Sequence, residues 1–300
     1  MIYVTQGHEK SIAMEIFLKS FLKLSPSEQK KIVLVCQKKV YEENLSLLNL
    51  SCQNFQNLNL VEIESKGLSL TLTSLKKALE LIKEKDILVT LPTSKDQLHE
   101  LGVHHMGYTE YLRAMSGKPE LAMTFKADEE FVLLMTDHIP LRAVTQILTK
   151  DYIQKKLAIV IEEYQKYFSS LEEVIVAGIN PHAGEGGLLG DEDQEVFEAL
   201  EKLKKSYPQI SFIGPLSGDT LHFKQNIKRS QLMVYMYHDQ GLPSFKARHG
   251  LKGINMTLGL PFLRMSVDHG TAFELYGKNQ ASEEGCQYVL KTALEISKEK

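Results

Sequence analysis

The sequence predicts an α/β fold, a largely parallel sheet with helices on its faces. Two observations carry that reading. Short apolar, β-branched runs alternate with longer amphipathic stretches, and the longer stretches repeat their apolar residues at helical spacing. Strand–helix–strand alternation of this kind calls for crossover helices between parallel strands.

The elements follow in order. "IYVT" (2–5) reads as a strand before a helix over "SIAMEIFLKSFLKL" (11–24). "KKIVLVCQ" (30–37) is the second strand and leads into a polar-apolar stretch to Leu50. "NLVEIE" (59–64) precedes a helix over 73–85, with Thr and Ser at its start and lysines toward its end, as helix termini prefer. "DILVTLP" (86–92) is the next strand. "LAMTFKADEEFVLLMTDH" (121–138) places two apolar runs around a short polar turn and predicts a hairpin. Residues 140–168 predict one or two long helices. Strands at 173–180, 210–217 and 231–238 follow, with an acidic helix near 191–206 between the first two. The tail from Ser282 is helical, and the Gly- and Pro-rich stretch 241–282 between them reads as loops.

Composition narrows the function classes. The chain has 300 residues, 43% hydrophobic and 24% charged, which suits one large α/β domain or two lobes. A net charge of −3 gives no basic excess for nucleic acid or a membrane surface. Cys36, Cys52 and Cys286 are scattered and form neither a zinc spacing nor a disulfide framework. No apolar run is long enough to span a membrane, and "MIYVTQG" opens as a strand without a signal-like segment. A cytoplasmic location is expected.

Three histidines stand at equivalent places. His138 ends "FVLLMTDH", His182 follows "VIVAGINP", and His238 ends "LMVYMYH". Sites in parallel sheets gather at the carboxyl ends of strands, so residues far apart in sequence can converge there. Neutral imidazoles suit Zn²⁺, Ni²⁺ or Co²⁺, and three protein ligands leave a position open for substrate. Asp137 and Asp239 adjoin two of the three as candidate orienting carboxylates. The plainer alternative is that each histidine caps a strand end.

Other clusters are less specific. "GINPHAGEGGLLGDED" (178–193) is a Gly-rich loop of the kind that exposes backbone N–H groups to a phosphate, without a recognised phosphate-binding spacing. Lys246, Arg248, Lys252, Arg264 and Lys278 are the cations of 241–282, and arginine and lysine there can grip an anion or simply face solvent. Gly241 and Pro243 are expected to turn the chain so that Lys246 returns toward the site of His238. In "HHMGYTEYL", Thr109 is a helix N-cap or a ligand. The adjacent His104 and His105 would diverge, which argues against a shared metal.

Together, "TDHIPLR", "GINPHAGEGG", "YHDQGLPSFK" and "GINMTLGLPFLRMSVDHGTAFELYGK", with "GYTEYL" and "LVTLPTSK", resemble the 4-hydroxythreonine-4-phosphate dehydrogenase family, the pyridoxal phosphate biosynthesis protein PdxA, over roughly residues 85–300. The resemblance implies a two-lobed α/β/α fold, isocitrate/isopropylmalate dehydrogenase-like, and a homodimer with its active site near the subunit boundary. It implies a divalent metal (Zn, Co or Mg) on His138, His182 and His238. Substrate contacts are implied from Tyr108, Thr109, Lys246, Asn255 and Arg264. NAD or NADP would meet His269, Gly270, Thr271 and Ala272. Asp239 and Lys246 are the candidate acid–base residues. The lobes are expected as 1–137 with 268–300 on the cofactor side, and 138–267 carrying the metal ligands and dimer contacts. The implied reaction oxidises 4-phosphohydroxy-L-threonine, with decarboxylation to 3-amino-2-oxopropyl phosphate.

The chain departs from the family in three places. "GHEKSIAME" (7–15) replaces a Gly-Asp-Pro-Ala-Gly-Ile-Gly-Pro-Glu-like turn, Tyr108 replaces a substrate-side histidine, and Asp137 replaces a threonine. These keep open a dehydrogenase of another four-carbon acid sugar phosphate, a metal hydrolase, or an inactive ligand-binding homologue.

Overall fold

The computed structural model describes residues 1–65, 67–99, 107–168, 170–224 and 230–298. His104 and His105 lie outside them. The chain divides into two units, Met1–Gly117 with Leu260–Lys300, and Lys118–Gly259.

The first unit begins with β1 (Ile2–Thr5), α1 (Ala13–Leu22), a single turn α2 (Pro26–Gln29) and β2 (Ile32–Cys36). It continues through α3 (Lys38–Leu47), β3 (Asn59–Glu62), α4 (Leu70–Leu81), β4 (Ile87–Thr90) and α5 (Tyr108–Ser116). Its strands run parallel in the order β3, β2, β1, β4 and then β11 (Leu263–Val267) from the last part of the chain. β2 and β4 are buried throughout, which explains their unbroken apolar reading. β3 lies at the end of this strand order and is polar and largely exposed, a composition that suits an edge. The side-chain oxygen of Ser69 accepts from Leu72 N, so α4 starts several residues before the Thr-Ser pair expected to open it.

The second unit holds β5 (Ala122–Ala127), β6 (Glu130–Leu134), α6 (Leu141–Ile147), α7 (Lys150–Tyr167) and β7 (Glu173–Ala177). Then come α8 (Asp193–Ser206), β8 (Ser211–Leu216), β9 (Gln231–Tyr235), α9 (His238–His249) and β10 (Ile254–Leu258). The strand order is β10, β5, β6, β9, β7, β8. β5 pairs antiparallel with β10 and β6, and the remaining pairs are parallel. The expected hairpin is therefore β5 and β6, with Asp128 at positive φ in its turn. α7 buries Ile153, Leu157, Val160, Ile161 and Tyr164, one stripe at helical spacing. The chain returns to the first unit for β11 and closes with α10 (Glu284–Ile296).

Two expectations change. Residues 241–282 are not mainly loop, since they hold most of α9 and the strands β10 and β11. Glycines and prolines flank these elements and mask their short apolar cores. The units also part after Gly117 and Gly259, because β5 and β6 share a sheet with β10 while β11 pairs with β4.

Candidate active site

In the second unit, β6 and β9 lie side by side and their exits continue together. Met135 N donates to Tyr235 O at 2.8 Å, and Thr136 N and Oγ1 both donate to Met236 O, at 3.1 and 2.7 Å. Two parallel strands thus release His138 and His238 next to each other. Their ring centroids are 5.6 Å apart with planes inclined at 42°. Two imidazoles on one tetrahedral metal ion, each about 2.0–2.1 Å from it, bring their centroids to a separation of about 5 Å. The observed spacing of the pair is close to that separation.

His238 Nδ1 lies 2.6 Å from Asp239 Oδ1, and His182 Nδ1 lies 2.6 Å from Glu185 Oε1. A carboxylate on Nδ1 fixes the tautomer that leaves Nε2 as the ligating nitrogen, the usual support of a metal-bound histidine. The donor set therefore fits a divalent metal in its chemistry. The Glu185 hydrogen bond and charge, with a smaller contribution from Asp219, hold the His182 imidazole above its ordinary pKa.

His182 does not join the other two closely. Among the described residues no three His, Cys, Asp or Glu side chains converge to hold a metal as they stand. His182 lines a cleft of about 380 Å³ with Asp219, Tyr237 and Gln240. His138 and His238 line a second cleft of about 350 Å³ with Asp137 and Asp239, and Tyr237 borders both. The loop that carries His182 is a left-handed turn, with positive φ from His182 through Gly186. Asp193 at the start of α8 anchors its base by accepting from Ile179 N at 2.7 Å and Asn180 N at 3.1 Å. Gly178 leaves room for that anchor, since a Cβ there would sit 2.6 Å from the Asp193 carboxylate.

α9 starts at His238 itself, so the expected turn at Gly241 and Pro243 is helix. Gly241 is buried, and a Cβ would meet the Tyr235 ring at 2.7 Å, so glycine lets the helix lie on β9. At about 1.5 Å per residue, Lys246 lies about 12 Å along α9 from His238. It does not curl back beside the histidine pair. Asn255 sits on β10 opposite Phe125 of β5. At the far end of α9, Arg248 and His249 both bond the buried Glu130 carboxylate of β6.

The first unit supplies the other named residues. Arg264 on β11 is 4% exposed and donates from Nε and an Nη to Thr90 Oγ1 at 3.0 and 2.7 Å. Its guanidinium lies 5.4 Å from the centroid of the Tyr108 ring. Burial pushes the Arg264 pKa down to about 10, still well above neutrality, so the side chain is cationic at working pH. Burial also drives the Tyr108 hydroxyl upward, and that hydroxyl donates to Leu91 O at 3.3 Å. Thr109 is buried within α5, whose N-cap is Gly107, so the N-cap alternative for Thr109 does not hold.

The divergent loop after β1 docks on the segment expected to meet the cofactor. Ile12 N donates to Thr271 O at 3.1 Å, and the His8 ring meets Phe273 edge-on at 4.8 Å. Ala272 takes a positive φ there. His269 and Gly270 precede it, with His269 Nδ1 3.2 Å from Gly270 O. Asp219 and Tyr237 are the site residues that motif reading passed over. Asp219 follows the exit of β8, and the same rule that selected the histidines would have found it.

Comparison with known proteins finds relatives that cover most of the chain. A family model described as "Pyridoxal phosphate biosynthetic protein PdxA" matches residues 3–293. A 4-hydroxythreonine-4-phosphate dehydrogenase of Thioalkalivibrio sulfidiphilus is 39% identical over 215 residues, covering 71% of this chain and 64% of its own length. One from a Sulfurihydrogenibium species is 33% identical over 304 residues, covering 93% of this chain and 92% of its own. Among solved structures, a 4-hydroxythreonine-4-phosphate dehydrogenase of Klebsiella pneumoniae superposes with a TM-score of 0.82 at 26% identity, covering 99% of each chain. The fold is isocitrate/isopropylmalate dehydrogenase-like α/β. The chain belongs to the pyridoxal phosphate biosynthetic protein PdxA family.

Proposed function

We propose that the protein oxidises 4-phosphohydroxy-L-threonine with NAD or NADP, and that decarboxylation gives 3-amino-2-oxopropyl phosphate. The observation that carries this reading is the His138–His238 pair at adjoining strand exits, backed by Asp239, in a chain matched by the family over residues 3–293.

His138, His182 and His238 would hold a divalent metal (Zn, Co or Mg), which when bound supplies Lewis acidity to the substrate hydroxyl and to the ketone it becomes. The nicotinamide supplies the hydride acceptor. Asp239 fixes the His238 tautomer and is the base assigned to the hydroxyl proton. The ketone stands β to the carboxylate, which makes loss of CO₂ the natural second step. Arg264, Lys246, Asn255 and Thr109 are assigned to the substrate's polar and anionic groups. Arg264 suits an anion because it is buried, cationic and held by Thr90 before substrate arrives. His269, Gly270, Thr271 and Ala272 are assigned to the cofactor. The active form is proposed to be a cytoplasmic homodimer, and among the described residues no helix is long and apolar enough to cross a membrane.

The test is incubation of the purified protein with 4-phosphohydroxy-L-threonine and NAD⁺ or NADP⁺. Reduced nicotinamide and 3-amino-2-oxopropyl phosphate are expected in equal amounts. Turnover only of another phosphorylated four-carbon hydroxy acid would move the protein to a different substrate, and no reduced nicotinamide with any of them would sink the proposal.

A further inference from the structure

Lys156 on α7 brings an ammonium into the interior. It is 1% exposed, and its Nζ donates to Met135 O at 2.7 Å and to the Tyr152 hydroxyl oxygen at 3.4 Å. Tyr152, one turn earlier on the same helix face, donates its own hydroxyl to Met135 O at 2.9 Å. The carbonyl at the β6 exit is thus already served by a neutral hydroxyl, and the lysine adds a charge. Carbonyl and hydroxyl oxygens satisfy N–H groups but do not cancel a charge, and a buried charge is retained where an opposite one faces it.

The second unit offers one carboxylate for that place. Among its described residues the buried acids are Glu130, Asp137 and Asp193. Glu130 receives Arg248 and His249, and Asp193 accepts from Ile179 N and Asn180 N. Asp137 stands two residues after Met135, whose carbonyl Lys156 bonds. Strand alternation gives it the matching face. Phe131 meets Tyr164 of α7 edge-on at 5.0 Å, and the β6 exit keeps pairing with the β9 exit through Thr136, so Met135 and Asp137 follow Phe131 onto the α7 side. Val132 and Leu134, of the opposite parity, join the core with Leu242 and Phe245 of α9. Asp137 also lines the cleft beside His138. It stands where a family member would carry threonine, and a hydroxyl there calls for no buried cation.

We propose that Lys156 is the counter-charge of Asp137 and that this buried pair positions the Asp137–His138 wall of the cleft. Lys156 is a positioning residue in this assignment, touching no substrate and acting through Asp137 and the Met135 carbonyl. The inference requires neither a bound metal nor turnover, so its failure and the failure of the proposed oxidation are separate results.

A double-mutant cycle in urea reads the pair, with Lys156→Met and Asp137→Thr. Removing one partner leaves the other charge uncompensated, so each single variant is expected to lose about two to three orders of magnitude in its folding equilibrium constant. K156M/D137T carries neither charge and is expected to recover at least about tenfold over the product of the two losses. A double variant that folds where a single one does not counts as the same rescue. Losses that simply multiply would overturn the inference. So would a double variant that fails to fold, because removing both partners leaves no buried charge behind. Imidazole NMR of metal-free protein reads the positioning. The His138 ring resonances, assigned by their absence in His138→Gln, are expected to move in K156M, while those of His249 at the far end of α9 stay in place. Lys156→Gln, neutral and still a donor to the Met135 carbonyl, carries this reading if K156M does not fold. His138 resonances unmoved in the folded variant would overturn the positioning role.

Discussion

The Arg264 guanidinium stacks on the buried ring of Tyr108 at 5.4 Å while Thr90 Oγ1 accepts from its Nε and an Nη. Tyr108 thus holds a cation in place. A desolvated cation–π contact contributes about 2 kcal/mol, and truncating a buried aromatic costs about 3–5 kcal/mol. Tyr108→Phe keeps the ring face and loses one bond to Leu91 O, worth about 1 kcal/mol. Tyr108→Ala is expected to be destabilised by about 3–5 kcal/mol in urea denaturation and to raise KM, while Y108F stays near wild type in both. Equal damage from the two variants would return the hydroxyl to the role of a substrate contact.

Glycine at 241 is explained by packing. In an exposed helix interior, Gly→Ala stabilises by roughly 0.5–1 kcal/mol. Here the added Cβ meets Tyr235 ring atoms at 2.7 and 2.8 Å. Gly241→Ala is expected to lower stability by about 1–3 kcal/mol, the range for overpacking. A gain in melting temperature would show that α9 stands further from β9 than described.

Glu130 anchors the far end of the helix that begins with His238. Its side chain is 2% exposed and receives both Arg248 and His249. Removing one partner of a buried ionic cluster costs about 3–5 kcal/mol. Arg248 is partly exposed, so Glu130→Gln should fall at the lower end of that range in denaturant unfolding. A change of a few tenths would mean that Arg248 and His249 find water as readily as the carboxylate.

Glu185 raises the pKa of His182, and the sign follows from the charges. A carboxylate hydrogen-bonded to Nδ1 favours the imidazolium, so the proton leaves at higher pH than from an ordinary histidine. Protons and metal compete for the imidazole, so metal uptake at this ligand weakens as pH falls through the raised value. In metal-free protein, NMR titration of His182 is expected to give a lower midpoint in Glu185→Gln than in wild type. An unmoved midpoint would remove Glu185 from the site.

The alternation of strand and helix was legible because each period repeats over several residues. β10 and β11 were not legible, since "INMTL" and "LRMSV" are short and lie among glycines that read as loop. α9 was hidden for a related reason. Gly241 and Pro243 are turn residues by local preference, and tertiary packing against Tyr235 overrides it. The places of His138, His182 and His238 at strand exits followed from pattern. Their separation into a pair and a distinct third did not, because it depends on the left-handed loop at 182–186 and its Asp193 anchor.

The central claim is that oxidation runs on a metal held by histidines from three strand exits. The direct measurement strips the protein with a chelator and follows reduced nicotinamide with 4-phosphohydroxy-L-threonine, before and after a divalent cation is returned, in wild type and in His238→Ala. Wild type is expected to lose turnover on stripping and regain it with the cation, while H238A, folded and monitored by the same melting transition, does not regain it. Full turnover by the stripped wild-type protein, or restoration of H238A to the wild-type rate, would contradict the account.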